Sequence, residues 1–183
     1  FNILATQNNE QHKRPMSNSY ASASIRSLVF LLLSLFTVPA FAGKAPAFEL
    51  PSDTGTFALE QYRDQVVYVD FWASWCIPCR YSFPWLNEMH ARYGDDGFKV
   101  IAINLDKDKD KAQRFLKLIP ANFEIAYDPK GTVADLYNLK VMPTSYLIDQ
   151  HGNLIHKHKG FKPSDADPME GRIKKLLGPT KQN

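Results

Sequence analysis

Val66-Val-Tyr-Val-Asp-Phe-Trp-Ala-Ser-Trp-Cys-Ile-Pro-Cys79 reads as a strand that runs straight into a pair of cysteines. Val66 to Phe71 is apolar on both faces apart from Asp70, the pattern of a strand buried inside a parallel sheet. Cys76 is expected to open a helix, because Tyr81, Trp85, Leu86 and Met89 follow at helical spacing, with Pro84 predicting a kink inside it. A first thiol at a helix start meets unpaired N–H groups and the positive end of the helix dipole, which stabilise a thiolate. That makes Cys76 the expected nucleophile. Cys79, nearly one turn on, lies within bonding distance and is expected to be the more buried, resolving sulfur. Pro78 costs little there, since an early helical N–H has no partner in any case.

Outward from this stretch, strands and helices alternate. Phe57 to Leu59 reads as a strand before it; Phe98 to Asn104 follows as a second β-rich apolar run. Asp110 to Ile119 is an amphipathic helix, Phe123 to Tyr127 a short strand and Thr132 to Leu139 a helix. Thr144 to Ile148 and Leu154 to Lys159 flank a hairpin turn, and Asp165 to Leu177 closes the chain as a helix. The order predicts one α/β domain, a central mixed sheet with helices on both faces. No internal repeat or low-complexity linker divides it.

The 183 residues are 44% hydrophobic and 22% charged, the composition of a globular domain with a hydrophobic core. Two cysteines cannot staple a small coreless fold, so they are available for chemistry. From Gly43 onward 19 basic and 18 acidic side chains nearly cancel, which gives no electrostatic argument for nucleic acid or an anionic membrane surface.

Val69 to Cys79 resembles the active-site segment of the thioredoxin family, and Val141-Met-Pro-Thr144 resembles that family's second signature. Pro84, eight residues after Cys76, adds to the likeness. The resemblance covers roughly residues 57 to 177 and implies a thioredoxin-like fold, with Asp106 to Asp128 as an extra helix-strand insertion. It implies that Pro143 is cis and that its loop packs against the cysteine pair. It implies that Asp70, six residues before Cys76, is a buried acid exchanging a proton with Cys79. Asn104 is aligned with a lysine of the neighbouring strand in thioredoxins. Trp75, Ile77, Pro78, Met142 and Pro143 are the expected substrate groove, while Trp72 divides evenly between core and site wall. With the export signal described below, the chain is similar to the exported group that includes TlpA- and ResA-type proteins. The activity implied is thiol-disulfide exchange with protein cysteines, preferentially as a reductant. It would need no cofactor beyond the redox-active Cys76–Cys79 disulfide, be fed by a membrane electron donor, and act as a monomer.

Arg26, the apolar run Leu28 to Phe36 and the small-x-small end Ala40-Phe-Ala42 have the three parts of a secretory signal. The expectation is cleavage after Ala42, dividing residues 1–42 from a domain over 43–183, with Met16 as the start of a signal of ordinary length. The run is short for a bilayer span, so periplasmic release is preferred to an inner-membrane anchor facing the periplasm. No cysteine adjoins the cleavage site, so a lipoprotein anchor is not expected.

Competing readings are weaker. Asp106, Asp108 and Asp110 begin like a calcium loop, but Lys111 and Lys117 occupy the positions that need glycine and glutamate. His156 and His158 share a strand face without a third metal ligand at matched spacing. No resident metal is expected. A Cu(I) metallochaperone using the two thiolates is the alternative function, with Met142 its only soft neighbour. Peroxidase chemistry is disfavoured by two cysteines within one turn. A structural disulfide is disfavoured because so short a loop removes little unfolded-state entropy.

Overall fold

The computed structural model describes residues 43–179; the expected signal segment and the Met16 start lie outside the described residues. Strands are β1 (Glu49–Pro51), β2 (Thr56–Ala58), β3 (Val66–Trp72), β4 (Phe98–Asn104), β5 (Glu124–Tyr127), β6 (Thr144–Ile148) and β7 (Leu154–Lys159). Helices are α1 (Cys79–Tyr93), α2 (Lys109–Leu118), α3 (Thr132–Leu136) and α4 (Ala166–Leu177). β1 and β2 form a separate antiparallel hairpin, and the main sheet has the order β5-β4-β3-β6-β7. β4 runs parallel to both β3 and β5, whereas β6 is antiparallel to β3 and β7, so the sheet is mixed as expected.

β3 lies at the centre and all seven of its residues are buried. Its alternation divides two cores. Val66, Tyr68 and Trp72 pack with Phe83, Leu86 and Met89 of α1, Phe115 of α2 and Ile173 of α4. Val67, Val69 and Phe71 pack on the other face with Val133 and Ala134 of α3 and Phe48, Leu50 and Phe57 of the hairpin. Helices therefore cover both faces, which is why β3 carries no simple polar-apolar alternation. By the same alternation Asp70 belongs to the α1 face, between Tyr68 and Trp72.

The insertion is the expected helix and strand. α2 is capped by the Asp108 side chain, which accepts the Asp110 N–H at 3.0 Å. β5 extends the sheet beyond β4, and a bridge from Ser52 to Ala126 ties the hairpin to it. α3 is shorter than the periodicity suggests: after Leu136 the Tyr137 N–H bonds Val133 and the Asn138 N–H bonds Asp135, and Asn138 takes a positive φ of 49° that ends the helix. Its start is firm, because the Asp128 carboxylate accepts the N–H groups of Thr132, Val133 and Ala134, each at 2.9 Å. Leu59 belongs to a 3-10 turn (Leu59–Tyr62) and not to β2.

Candidate active site

The site forms where β3 ends. The Cys76 N–H donates to the Ala73 carbonyl at 3.0 Å, closing a turn that lifts Cys76 off the strand. Cys76 and Cys79 are joined in a disulfide, with Sγ atoms 2.04 Å and Cα atoms 5.4 Å apart. The helix begins at Cys79, not at Cys76 as its periodicity suggests. Pro78 has no N–H to give, and the Arg80 N–H bonds Ile77 at 3.0 Å, so the segment before Cys79 is a tight turn. Cys76 thus lies just beyond the helix N-terminus, bonded to its first residue, where the dipole still acts on its sulfur. Pro84 lies inside α1, which continues to Tyr93.

Both sulfurs are sheltered: Cys79 is fully buried and Cys76 is 3% exposed. Behind them stands an aromatic stack. Trp72 lies 4.8 Å from both Phe83 and Phe115, ring centre to ring centre, and is a core residue. Exposed apolar side chains lie near the pair or beside Trp75, together with exposed Arg80 and Lys140. Trp75 and Ile77 are each 67% exposed, Tyr81 60% and Val141 48%. Pro78 and Met142 are half-buried and Pro143 is buried.

The Met142–Pro143 peptide bond is cis. Pro143 leads into β6 at Thr144, the register partner of Phe71, so its loop enters the sheet beside the end of β3. The Gly160 N–H donates to the Pro143 carbonyl at 2.7 Å, and the Thr144 hydroxyl to Val141 at 2.7 Å. Trp75 and the segment Leu139 to Met142 line a shallow groove of about 400 Å³. Of the expected groove residues, Trp75 and Met142 line this groove, while Ile77, Pro78 and Pro143 are not among its lining.

Asp70 is 2% exposed, and its Oδ2 has no hydrogen-bond partner among the described residues. Burial pushes its carboxyl well above the ordinary range. Its neighbour Tyr68 donates to or accepts from Ser145 at 2.6 Å, and burial together with Asp70 raises the Tyr68 hydroxyl as well. Ala102 is the β4 residue in register with Asp70, whereas Asn104 pairs with Trp72. Asn104 and Ala102 lie two residues apart on the same face of β4.

Asp106 is a residue to which the sequence reading assigned no role, having set aside the calcium-like run that it opens. Its carboxylate accepts the Ser74 N–H and the Ser74 hydroxyl, both at 2.8 Å, and the Asn104 amide at 2.9 Å. The acid that opens a calcium-like run is turned inward to the loop bearing Cys76. His156 and His158 do lie together, ring centres 6.3 Å apart, but His158 is engaged by Asp165 at 3.2 Å.

The AhpC/TSA family model matches residues 42–157. Thiol-disulfide oxidoreductase ResA of Bacillus thuringiensis is 30% identical over 134 residues, spanning 73% of this chain and 76% of that protein. Its counterpart in Geobacillus kaustophilus is 32% identical over 119 residues, spanning 64% and 68%. Among solved structures, a candidate thiol:disulfide interchange protein DsbE from Chlorobium tepidum is 49% identical with a TM-score of 0.74, over 75% of this chain and 98% of that one. The pneumococcal exposed lipoprotein thioredoxin from Streptococcus pneumoniae is 30% identical with a TM-score of 0.62, over 72% and 100%. With its cysteine pair at the start of α1 and its thioredoxin-like sheet, the chain belongs to the AhpC/TSA family and is a thioredoxin-like thiol-disulfide oxidoreductase similar to ResA.

Proposed function

We propose that this oxidoreductase works outside the cytoplasm as a reductant of protein disulfides. The observation that carries the reading is the Cys76–Cys79 disulfide at the start of α1, with exposed Trp75 and Ile77 beside it in the chain and Val141 lining a groove with Trp75. In the reduced enzyme the Cys76 thiolate attacks one sulfur of a client disulfide. An enzyme–client S–S bond forms, the client S–S bond breaks, and the first client sulfur leaves as a thiolate that takes a proton from water. The Cys79 thiol then passes its proton through water to the Asp70 carboxylate, and its thiolate attacks Cys76 Sγ. The second client sulfur leaves and is protonated, so the client gains two electrons and the enzyme is left as the disulfide.

A carboxyl buried on the α1 face with no partner for Oδ2 among the described residues supports the role of Asp70, since burial raises its affinity for the proton it is to accept. A membrane dithiol donor would return the two electrons. Export rests on the signal pattern over 26–42, cleaved after Ala42 to release a domain over 43–183 into the periplasm, and the exposed pneumococcal relative supports that location. No helix among the described residues is long and apolar enough to cross a membrane. Trp75, Ile77, Pro78, Met142 and Pro143 would receive the client's cysteine as monomer meets client.

The test is trapping. A Cys79→Ser variant should accumulate mixed disulfides with extracytoplasmic proteins, because Cys76 attacks and nothing resolves. A Cys76→Ser variant should accumulate none; equal trapping by both variants would contradict the assignment.

A further inference from the structure

Asp106 reaches across from the end of β4 to the turn that carries Cys76. Oδ1 accepts the Ser74 hydroxyl and Oδ2 the Ser74 N–H, both at 2.8 Å. Ser74 is the second residue of the Ala73–Cys76 turn closed by the Cys76 N–H. The carboxylate is itself fixed: Asn104 donates its amide to Oδ2 at 2.9 Å and accepts the Asp106 N–H at 3.0 Å. Asn104 is fully buried and Asp106 is 6% exposed, while the Leu105 N–H donates to the Trp72 carbonyl at 3.0 Å. Residues 104–106 therefore grip residues 72–74 through three hydrogen bonds, two of them from Ser74 to a carboxylate held away from water. Trp75, by contrast, is open to solvent.

We propose that Asp106 is the positioning residue of the cysteine pair: by clamping Ser74 it fixes the turn that holds Cys76 Sγ at bonding distance from Cys79 Sγ. Thiol-disulfide exchange needs the attacking sulfur nearly in line with the S–S bond, so the effective concentration of one thiol for the other depends on how tightly this turn is held. The clamp acts through Ser74 and touches no client. It rests on the exchange reading above for its role in turnover.

The test compares Asp106→Ala with Asp106→Asn in the two-cysteine protein, measuring equilibrium with reduced and oxidised glutathione and the rate of reduction of a protein disulfide. Asparagine can keep the geometry, its oxygen accepting from Ser74 N–H and Asn104 and its amide donating to Ser74 Oγ. Asp106→Ala should lower the equilibrium constant for closing the Cys76–Cys79 disulfide by about tenfold and slow exchange similarly, while Asp106→Asn stays within about threefold of the parent on both. Alanine values within about twofold of the parent, or an asparagine variant as impaired as alanine, would overturn the proposal. If Asp106→Ala does not fold, Ser74→Ala decides: it loses only the hydroxyl bond and should lower the closing constant about threefold, and no change would overturn the proposal. The glutathione equilibrium reads the hold on the sulfurs whichever cysteine attacks first. Failure of the mixed-disulfide trap is therefore distinguishable from failure of the clamp.

Discussion

Asp70 and Ala102 are register partners across the parallel β3–β4 pair, so the one carboxyl inside the central strand faces a methyl group where a cation could have paired with it. Its Oδ2 is buried without a hydrogen-bond partner among the described residues, and burial disfavours the charged form.

A stability consequence follows with a definite sign. The folded-state affinity of Asp70 for its proton is raised above the unfolded value of about 3.9, so its contribution is fully present below that pH and is lost as pH rises toward the folded value. Asp70→Asn should stabilise the oxidised protein at pH 8 by a few kcal/mol, roughly, and by much less at pH 4. Urea denaturation at the two pH values checks this. The same substitution should slow reduction of a protein disulfide about tenfold or more, by removing the proton acceptor.

Glu170 provides the opposite case. The Tyr93 hydroxyl, then Lys174 and Arg92, hold its carboxyl down to about 2, tying α4 to the end of α1. A depressed folded value contributes stability above the unfolded value of about 4.3 that is lost as pH falls toward 2. Its cationic partners are half-exposed, so screening reduces the contribution to about 1–2 kcal/mol. Thermal melts should show Glu170→Gln less stable than the parent at pH 6, with the difference shrinking as pH falls toward 2.

Phe115 joins the insertion to the site. It packs on Trp72 and Phe83 behind the disulfide, with ring centres 4.8 and 5.1 Å away. Phe115→Ala should cost about 3–5 kcal/mol through the cavity it leaves. Denaturant unfolding gives the value; a loss below about 1 kcal/mol would mean that α2 does not buttress the cysteine pair.

Trp75 should matter to clients and not to the fold. At 67% exposure, Trp75→Ala should change stability by no more than about 0.5 kcal/mol. It should raise KM for a protein disulfide severalfold while leaving the rate with a small disulfide such as oxidised glutathione nearly unchanged. Parallel loss on both substrates would assign Trp75 to the chemistry.

Much of this was legible in the chain because its signals are local. The apolar run of β3, the cysteine spacing and the Met142-Pro143 signature each occupy a few contiguous residues, and the alternation of strands and helices follows from periodicity. The helix start was not legible, since the apolar spacing of α1 is blind to how the Ile77-Pro78 turn is bonded. The partner of Asp70 depended on register, and Ala102 and Asn104 present the same face of β4. The bonds from Asp106 to Ser74 span 32 residues and leave no periodic trace, and the acids Asp106, Asp108 and Asp110 could be weighed from the sequence only as a calcium-like run, which was set aside. Asp108 instead caps α2.

The central claim is that the Cys76–Cys79 pair works as a reductant. The most direct test is its equilibrium reduction potential, poised against glutathione and dithiothreitol buffers and read by alkylation of the free thiols. A value near that of thioredoxin, about −270 mV, is the predicted result; a value near that of DsbA, about −120 mV, would contradict it and make the enzyme an oxidant.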